Sequence, residues 1–188
     1  MDTGHAIRGI IEAPGGGWIV TLGVPGLEIA RDGAAWLSPE SMNETVRHLA
    51  QLRTGLLLLL GEAAEYPPDT VGMLRRMCAL NGIRVVALPI ADFSTPSPAW
   101  ERAWRKVAAS IWQRLGVGEA VGLCCFYGAG RSGMIAAMML QERGLGTVEA
   151  VAAVRRSFPE SIESPVQEKW LRERGCTLRG ADASRGNA

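Results

Sequence analysis

The fold of this chain is indicated first by residues 121–133, which read VGLCCFYGAGRSG. The apolar residues 121–125 predict a buried strand. Residues 126–130 contain two glycines and predict a tight loop, and residues 132–143 predict an apolar helix that ends at Gly144. A strand that passes through a glycine-rich loop into a helix is an arrangement that binds anions, because backbone N–H groups and the helix N-terminus point into the loop.

On both sides of this segment, apolar runs alternate with helical stretches. Ser38-Pro39 and Ser97-Pro98 mark two helix starts, with serine as the cap and proline at the first helical position. The alternation predicts an α/β fold, a three-layer α/β/α sandwich around a mainly parallel sheet of four to five strands. The predicted strands are residues 17–23, 56–60, 83–88 and 121–125, and the predicted helices are residues 39–53, 70–80, 98–115, 132–143, 147–157 and 165–174.

Composition bounds the domain organisation and the partners. A chain of 188 residues with 47% hydrophobic content predicts one domain, residues 1–175, followed by a flexible tail, residues 176–188. The net charge of +1 argues against a nucleic-acid partner. Because no apolar run is long enough to cross a bilayer and no signal-peptide pattern is evident, we expect a cytoplasmic monomer that binds no membrane.

The four cysteines, at positions 78, 124, 125 and 176, lack the spacing of zinc ligands. We therefore expect neither a metal nor another cofactor, and free thiols in a reducing cytosol. A thiol beside a reactive cysteine can trap its oxidised form as a disulfide. Both Cys124 and Cys78 stay open as such redox partners.

The loop that follows Cys125 has the parts that a phosphate-binding site needs. Its backbone amides are predicted to converge above the cysteine sulfur, where a thiolate could attack phosphorus. Arg131 supplies a planar fork that binds two phosphate oxygens, and Ser132 is expected to donate its hydroxyl to the sulfur. The alternative is a buried strand end followed by an ordinary glycine turn. The predicted phosphate-binding residues are Phe126, Tyr127, Gly128, Ala129, Gly130 and Arg131.

The pattern Cys-x-x-Gly-x-Gly-Arg-Ser-Gly after an apolar strand resembles the signature loop of the protein tyrosine and dual-specificity phosphatases. The order of elements from Gly17 to Arg174 is also similar to that of these phosphatase domains. The resemblance implies a metal-independent phosphatase that hydrolyses phosphotyrosine in a phosphorylated protein or peptide through a cysteinyl phosphate, with phosphoserine and phosphothreonine as further candidates.

The sequence departs from the family at Cys124, where the family usually has a histidine that orders the loop. A phosphate-binding module with weak or absent catalysis, and a phosphatase for a non-protein phosphoester, therefore stay open. Other anion-handling cysteine enzymes, such as a sulfurtransferase or an arsenate reductase, are disfavoured by the two loop glycines and by the Arg-Ser-Gly continuation.

The resemblance also identifies a general acid, Asp92, in the sequence LPIADF. It would protonate the leaving group and then, as a carboxylate, activate water. The alternative is a turn residue at the start of the polar segment 94–96. Gln167 corresponds to a glutamine that orients the hydrolytic water, but Ser164 and Gln167 also match a capping box.

Other side chains near the loop allow two interpretations. Phe126 and Tyr127 either face an aromatic phosphoester or pack beneath the loop. The spacing of Trp100 and Trp104 predicts core residues. Residues 155–156, both arginine, are expected on a solvated helix face rather than in a positive field at the site.

Overall fold

The computed structural model describes residues 6–30 and 33–185, with side chains up to Cys176. The strands are β1 (Ile7–Glu12), β2 (Trp18–Leu22), β3 (Leu27–Ile29), β4 (Ala35–Leu37), β5 (Thr54–Leu59), β6 (Arg84–Ala87) and β7 (Ala120–Cys124). The helices are α1 (Pro39–Gln51), α2 (Thr70–Leu80), α3 (Pro98–Gly116), α4 (Gly130–Glu142), α5 (Thr147–Ser157) and α6 (Pro165–Arg185), and a 3₁₀ turn covers Ala63–Glu65.

Five strands form the central sheet, in the order β1-β2-β7-β5-β6. Strand β7 lies in the middle and pairs in parallel with β2 and β5, while β1 is antiparallel to β2. All five residues of β7 are buried, as expected for a parallel strand that is covered on both faces. The predicted α/β fold with a mainly parallel sheet is confirmed.

Helices cover both faces of the sheet and create two apolar clusters. One cluster packs α3, α4, α5 and α6 against the sheet, and it includes Trp100, Trp104 and Cys125. The other packs α1 and α2 against the opposite face, and it includes Cys78 and Cys124. The predicted three layers are therefore present, and the core position of the two tryptophans is confirmed by rings stacked 5.6 Å apart.

Strand β1 and the β3–β4 hairpin were not predicted from the sequence. Strand β1 lies at an edge of the sheet and carries a Gly-containing sequence, IRGIIE, in which two of the six residues are fully exposed. A short, half-exposed edge strand has little of the continuous apolar character that marks the buried strands. The hairpin contains only three residues per strand, too few for a clear period-two pattern.

The two helix starts at serine caps agree with the sequence. Helix α4 begins at Gly130, two residues before its predicted start, and the last helix ends later than predicted. The side chains of Ser38 and Ser97 accept hydrogen bonds from the N–H groups of Ser41 and Trp100, as caps should. Helix α6 continues to Arg185, past its predicted end at residue 174 and into the predicted tail. No proline interrupts this extension, and its Leu, Ala and Arg residues are good helix formers, so the polar composition alone was a poor stop signal.

None of the described helices combines the length and the apolar character needed to span a bilayer.

Candidate active site

The loop after β7 curls around the sulfur of Cys125. The Gly128 N–H donates to Cys125 Sγ at 3.2 Å, and Ser132 Oγ lies 3.4 Å from the same sulfur. Cys125 is only 2% exposed. The structure therefore brings a loop amide and the Ser132 hydroxyl to the sulfur of Cys125, as the sequence predicted.

The backbone of this loop requires glycine at position 128. Gly128 has φ +98°, and a β-carbon there would meet the Gly23 nitrogen and the Leu22 carbonyl carbon. The close approach to β2 allows the chain to turn back sharply and start α4 at Gly130. The positive end of the α4 dipole then faces the side of the loop that an anion would occupy.

The guanidinium of Arg131 is buried and held by the segments that follow β5 and β6. Nη1 and Nη2 each donate to one oxygen of Glu65 at 2.6 Å, and Nη1 also donates to the Ile90 carbonyl at 3.0 Å. Nη2 lies 3.1 Å from Asp92 Oδ1. The structure thus places Arg131 beside the predicted general acid, at the carboxyl ends of β5, β6 and β7.

Electrostatics favour the charged form of both partners in the Arg131–Glu65 pair. Burial acts to raise the pKa of Glu65, but the hydrogen bonds from Arg131 and from the Glu62 N–H, together with the charge of Arg131, outweigh it, so the pKa lies below its usual value. Burial likewise acts to lower the pKa of Arg131, but the bonds to Glu65 and the nearby charges raise it. The pair is therefore ionised, which suits a guanidinium that must stay positive to bind an anion.

Glu65 was missed in the sequence. A usable signal existed, because Glu65 follows β5 within a few residues and the carboxyl ends of parallel strands share one edge of the sheet. A carboxylate at that edge is a natural partner for a buried arginine.

Asp92 stands at the rim of the site. Its side chain is 55% exposed, and the N–H of Phe93 donates to Oδ1 at 3.0 Å. Phe93 itself has φ +51°, a left-handed conformation that turns the chain directly after the carboxylate. Asp92 is thus both close to Arg131 and accessible from outside, and it also begins a turn.

Gln167 takes part in the helix cap, and its role in orienting water stays a prediction. The Gln167 N–H donates to Ser164 Oγ at 3.2 Å, so the helix cap is present. The Gln167 side chain is buried and packs against the loop, since its Nε2 lies 3.3 Å from where a β-carbon of Gly130 would stand. Glu163 also reaches Gly130, and the sequence did not single it out.

The two aromatic residues of the loop have different surroundings. Phe126 is half-buried and stacks on Tyr66, with ring centroids 6.4 Å apart. Tyr127 is 42% exposed, lies beneath the Arg8 guanidinium and donates through its hydroxyl to Glu160 at 3.0 Å. Only Tyr127 is therefore available at the rim.

Cys124 and Cys78 belong to the opposite face of the sheet from Cys125. Burial raises the pKa of Cys78 to about 12, and burial together with the neighbouring thiols raises the pKa of Cys124 well above its usual value. Burial and a raised pKa both disfavour the thiolate form of these two cysteines in the folded state. Their role as redox partners stays a prediction.

Arg155 does not only face solvent, as was expected, because it also hydrogen-bonds to the backbone next to the site. It donates to the carbonyls of Ser161 and Ile162 at 3.1 and 3.2 Å, and it also pairs with Glu168. It therefore braces the segment between α5 and α6 that carries Glu163.

Comparison with known proteins supports the resemblance found in the sequence. No family model matches the chain. The chain is 31% identical over 81 residues to a probable protein tyrosine phosphatase type IVA A of Dictyostelium discoideum, a match that covers 43% of this chain and 48% of that protein. The chain thus matches about half the length of this curated relative.

Solved structures match over nearly the whole chain. Kinase associated phosphatase (KAP), with its catalytic-site cysteine replaced by serine, has a TM-score of 0.74 at 18% identity, covering 95% of this chain and 98% of its own. Tk-PTP in its active form has a TM-score of 0.61 at 24% identity, covering 93% and 99%. PTPMT1 in complex with PI(5)P has a TM-score of 0.61 at 16% identity, covering 87% and 94%.

These likenesses show that the chain has the fold of the protein tyrosine and dual-specificity phosphatases. The resemblance that was stated on the signature loop is confirmed at the level of the fold.

Proposed function

We propose that this chain is a metal-independent phosphatase that hydrolyses phosphotyrosine, and with it phosphoserine and phosphothreonine, through a cysteinyl phosphate on Cys125. The observation that carries the proposal is the convergence on one sulfur of the Gly128 amide at 3.2 Å and the Ser132 hydroxyl at 3.4 Å. The positive end of α4 and the buried guanidinium of Arg131 lie beside them. Such a site stabilises a thiolate and binds the phosphate that the thiolate attacks.

In the first step, the Cys125 thiolate attacks phosphorus, an S–P bond forms, and the P–O bond to the leaving group breaks. Loop amides and Arg131 stabilise the charge on the three equatorial oxygens. Asp92 gives its proton to the departing oxygen, so that a neutral alcohol or phenol leaves.

The contacts of Arg131 suggest how phosphate binding and acid catalysis are linked. Nη1 and Nη2 make three hydrogen bonds, two to Glu65 and one to the Ile90 carbonyl, and Nη2 also forms an ion pair with Asp92 at 3.1 Å. Of the two carboxylates, Asp92 is the exposed one. An incoming phosphate oxygen that replaces Asp92 at Nη2 would free this carboxyl beside the leaving group.

In the second step, water attacks the phosphorus of the cysteinyl phosphate, and the S–P bond breaks. Phosphate leaves and the thiolate is restored. The hydrogen bond from Ser132 stabilises the charge that returns to Cys125 Sγ. The water must lose a proton in this step, and Gln167 is the residue proposed to orient it.

Phosphotyrosine is favoured by the depth of the sulfur and by the aromatic rim. Cys125 is 2% exposed, whereas Tyr127 at the rim is 42% exposed. A phosphate on a long, flat side chain can reach the sulfur while its ring contacts Tyr127. The shorter phosphoserine and phosphothreonine would be poorer substrates.

The test is hydrolysis of p-nitrophenyl phosphate, phosphopeptides and PI(5)P by the purified chain in the presence of a metal chelator. We expect turnover that is highest on phosphotyrosine peptides and is lost in Cys125→Ser, while Cys176→Ser, at an exposed cysteine, keeps full activity. Phosphate binding without turnover would identify a binding module instead. Turnover of PI(5)P alone would identify a phosphatase for a non-protein phosphoester.

A further inference from the structure

A second carboxylate, Glu163, lies at the phosphate-binding loop. It belongs to the segment between α5 and α6, and its Oε2 lies so close to Gly130 that a β-carbon there would overlap it. The Gly130 backbone also hydrogen bonds with the Glu163 carboxylate. Gly130 is the first residue of α4 and directly precedes Arg131. Glu163 therefore lies at the side of the phosphate-binding loop, next to its last residue before Arg131.

The segment that carries Glu163 is docked on the loop. The Ile162 N–H donates to the Ala129 carbonyl at 3.3 Å, and Arg155 donates to the carbonyls of Ser161 and Ile162. Ile162 has φ +64°, an unusual conformation for a β-branched residue. Backbone that is held in a sparsely populated conformation by several hydrogen bonds presents the next side chain in a defined direction.

Gln167 provides an independent sign that the space beside Glu163 suits a small polar molecule. Its side chain is 1% exposed and packs on the same glycine, yet Oε1 has no hydrogen-bond partner among the described residues. A buried amide oxygen without a partner costs free energy unless a ligand or water donates to it. The Glu163 carboxylate and Gln167 Oε1 are thus two hydrogen-bond acceptors on the same side of the loop. One water molecule can donate one of its two hydrogens to each of them.

The surroundings of Glu163 make it a suitable base. Burial, and next the charge of Asp92, raise its pKa, while the Gly130 amide and Arg131 act to lower it and Glu160 adds a smaller raising effect. A carboxylate of higher pKa takes a proton more readily. Asp92, by contrast, has its Oδ1 engaged by the Phe93 N–H and by Arg131.

We propose that Glu163 is the general base of the second step, which takes a proton from the water that Gln167 orients towards the cysteinyl phosphate. The water oxygen forms a bond to phosphorus, its proton passes to the Glu163 carboxylate, and the electron pair of the breaking S–P bond returns to Cys125. Asp92 then serves the first step alone. The inference rests on the proposed function and changes only how the intermediate is hydrolysed.

The experiment separates the two steps by rapid mixing with p-nitrophenyl phosphate. In Glu163→Gln, which keeps the side-chain shape, we expect a burst of nitrophenolate at the wild-type rate, followed by a steady-state rate about 100-fold lower. Acid quenching should recover a phosphorylated protein that is absent from Cys125→Ser. The matched control is Glu173→Gln, on an exposed part of α6, with unchanged kinetics.

An unchanged steady-state rate in Glu163→Gln would overturn the inference and leave the phosphatase intact. An equal loss of the burst rate and the steady-state rate would also overturn it, because a structural role would slow both steps. If the wild-type chain shows no turnover that depends on Cys125, the proposed function itself fails and the inference falls with it.

Discussion

The guanidinium of Arg131 and the carboxylate of Glu65 are joined by two parallel hydrogen bonds of 2.6 Å, across 66 residues of sequence. The Arg131 side chain is 3% exposed and that of Glu65 is 20% exposed. A bidentate pair of this kind fixes the plane of the guanidinium as well as its position. Glu65 is therefore the residue that aims Arg131 at the loop.

The first prediction concerns this pair. Glu65→Gln removes a charge and one of the two acceptors, so the guanidinium loses its fixed plane while its own charge remains. We expect kcat/KM for p-nitrophenyl phosphate to fall about 100-fold, since small misplacements of a positioning group cost that much. Steady-state kinetics check this. Glu62→Gln, an exposed carboxylate on the same segment, should behave as wild type, and equal losses in both variants would contradict the prediction.

The second prediction distinguishes two effects of Asp92, proton donation to the leaving group and repulsion of the phosphate anion by its negative charge. Asp92→Asn should lower kcat for phosphotyrosine peptides about 100-fold or more, because tyrosine is a poor leaving group without a proton. Turnover of an aryl phosphate with a very acidic phenol should change far less. Inhibition by inorganic phosphate should become tighter, since the anion no longer competes with a carboxylate 3.1 Å from Arg131. Weaker inhibition would indicate that Asp92 helps to hold phosphate.

The third prediction tests the hydroxyl beside the nucleophile. Ser132→Ala removes the hydrogen bond to the sulfur, which lies 3.4 Å away, and should slow release of the thiolate from the cysteinyl phosphate. We expect kcat to fall roughly 100-fold, with a visible burst of product. A slower burst with an unchanged steady state would assign Ser132 to the first step instead.

The fourth prediction uses the different surroundings of the thiols. Burial raises the pKa of Cys78 to about 12, and burial together with the neighbouring thiols raises the pKa of Cys124 well above its usual value. Both thiols should therefore resist iodoacetamide near pH 8. The exposed Cys176 should react first, and labelling of Cys125 should be blocked by inorganic phosphate. Peptide mass spectrometry locates each label. Rapid modification of Cys124 in the folded protein would show that this thiol is accessible.

The sequence alone determined those parts of the site that lie close together along the chain. The strand, the glycine loop and the start of α4 occupy consecutive residues, so the relation of Cys125, Ser132 and Arg131 follows from local conformation. Asp92 was found through the resemblance, and the edge of the sheet on which it lies through the strand pattern. The layers, the parallel sheet and the two serine caps were predicted correctly for the same local reasons.

Tertiary structure alone decided which distant side chains complete the site. Glu65 and Glu163 approach the loop from segments far from it in sequence. The place of Glu65 after β5 indicates the edge of the sheet on which it lies, but not that it pairs with Arg131. The separation of Phe126 from Tyr127, and of Cys124 from Cys125, was decided by which face of the sheet each side chain meets. Local sequence encodes backbone conformation, whereas an ion pair or a packed face exists only after the strands have been placed side by side.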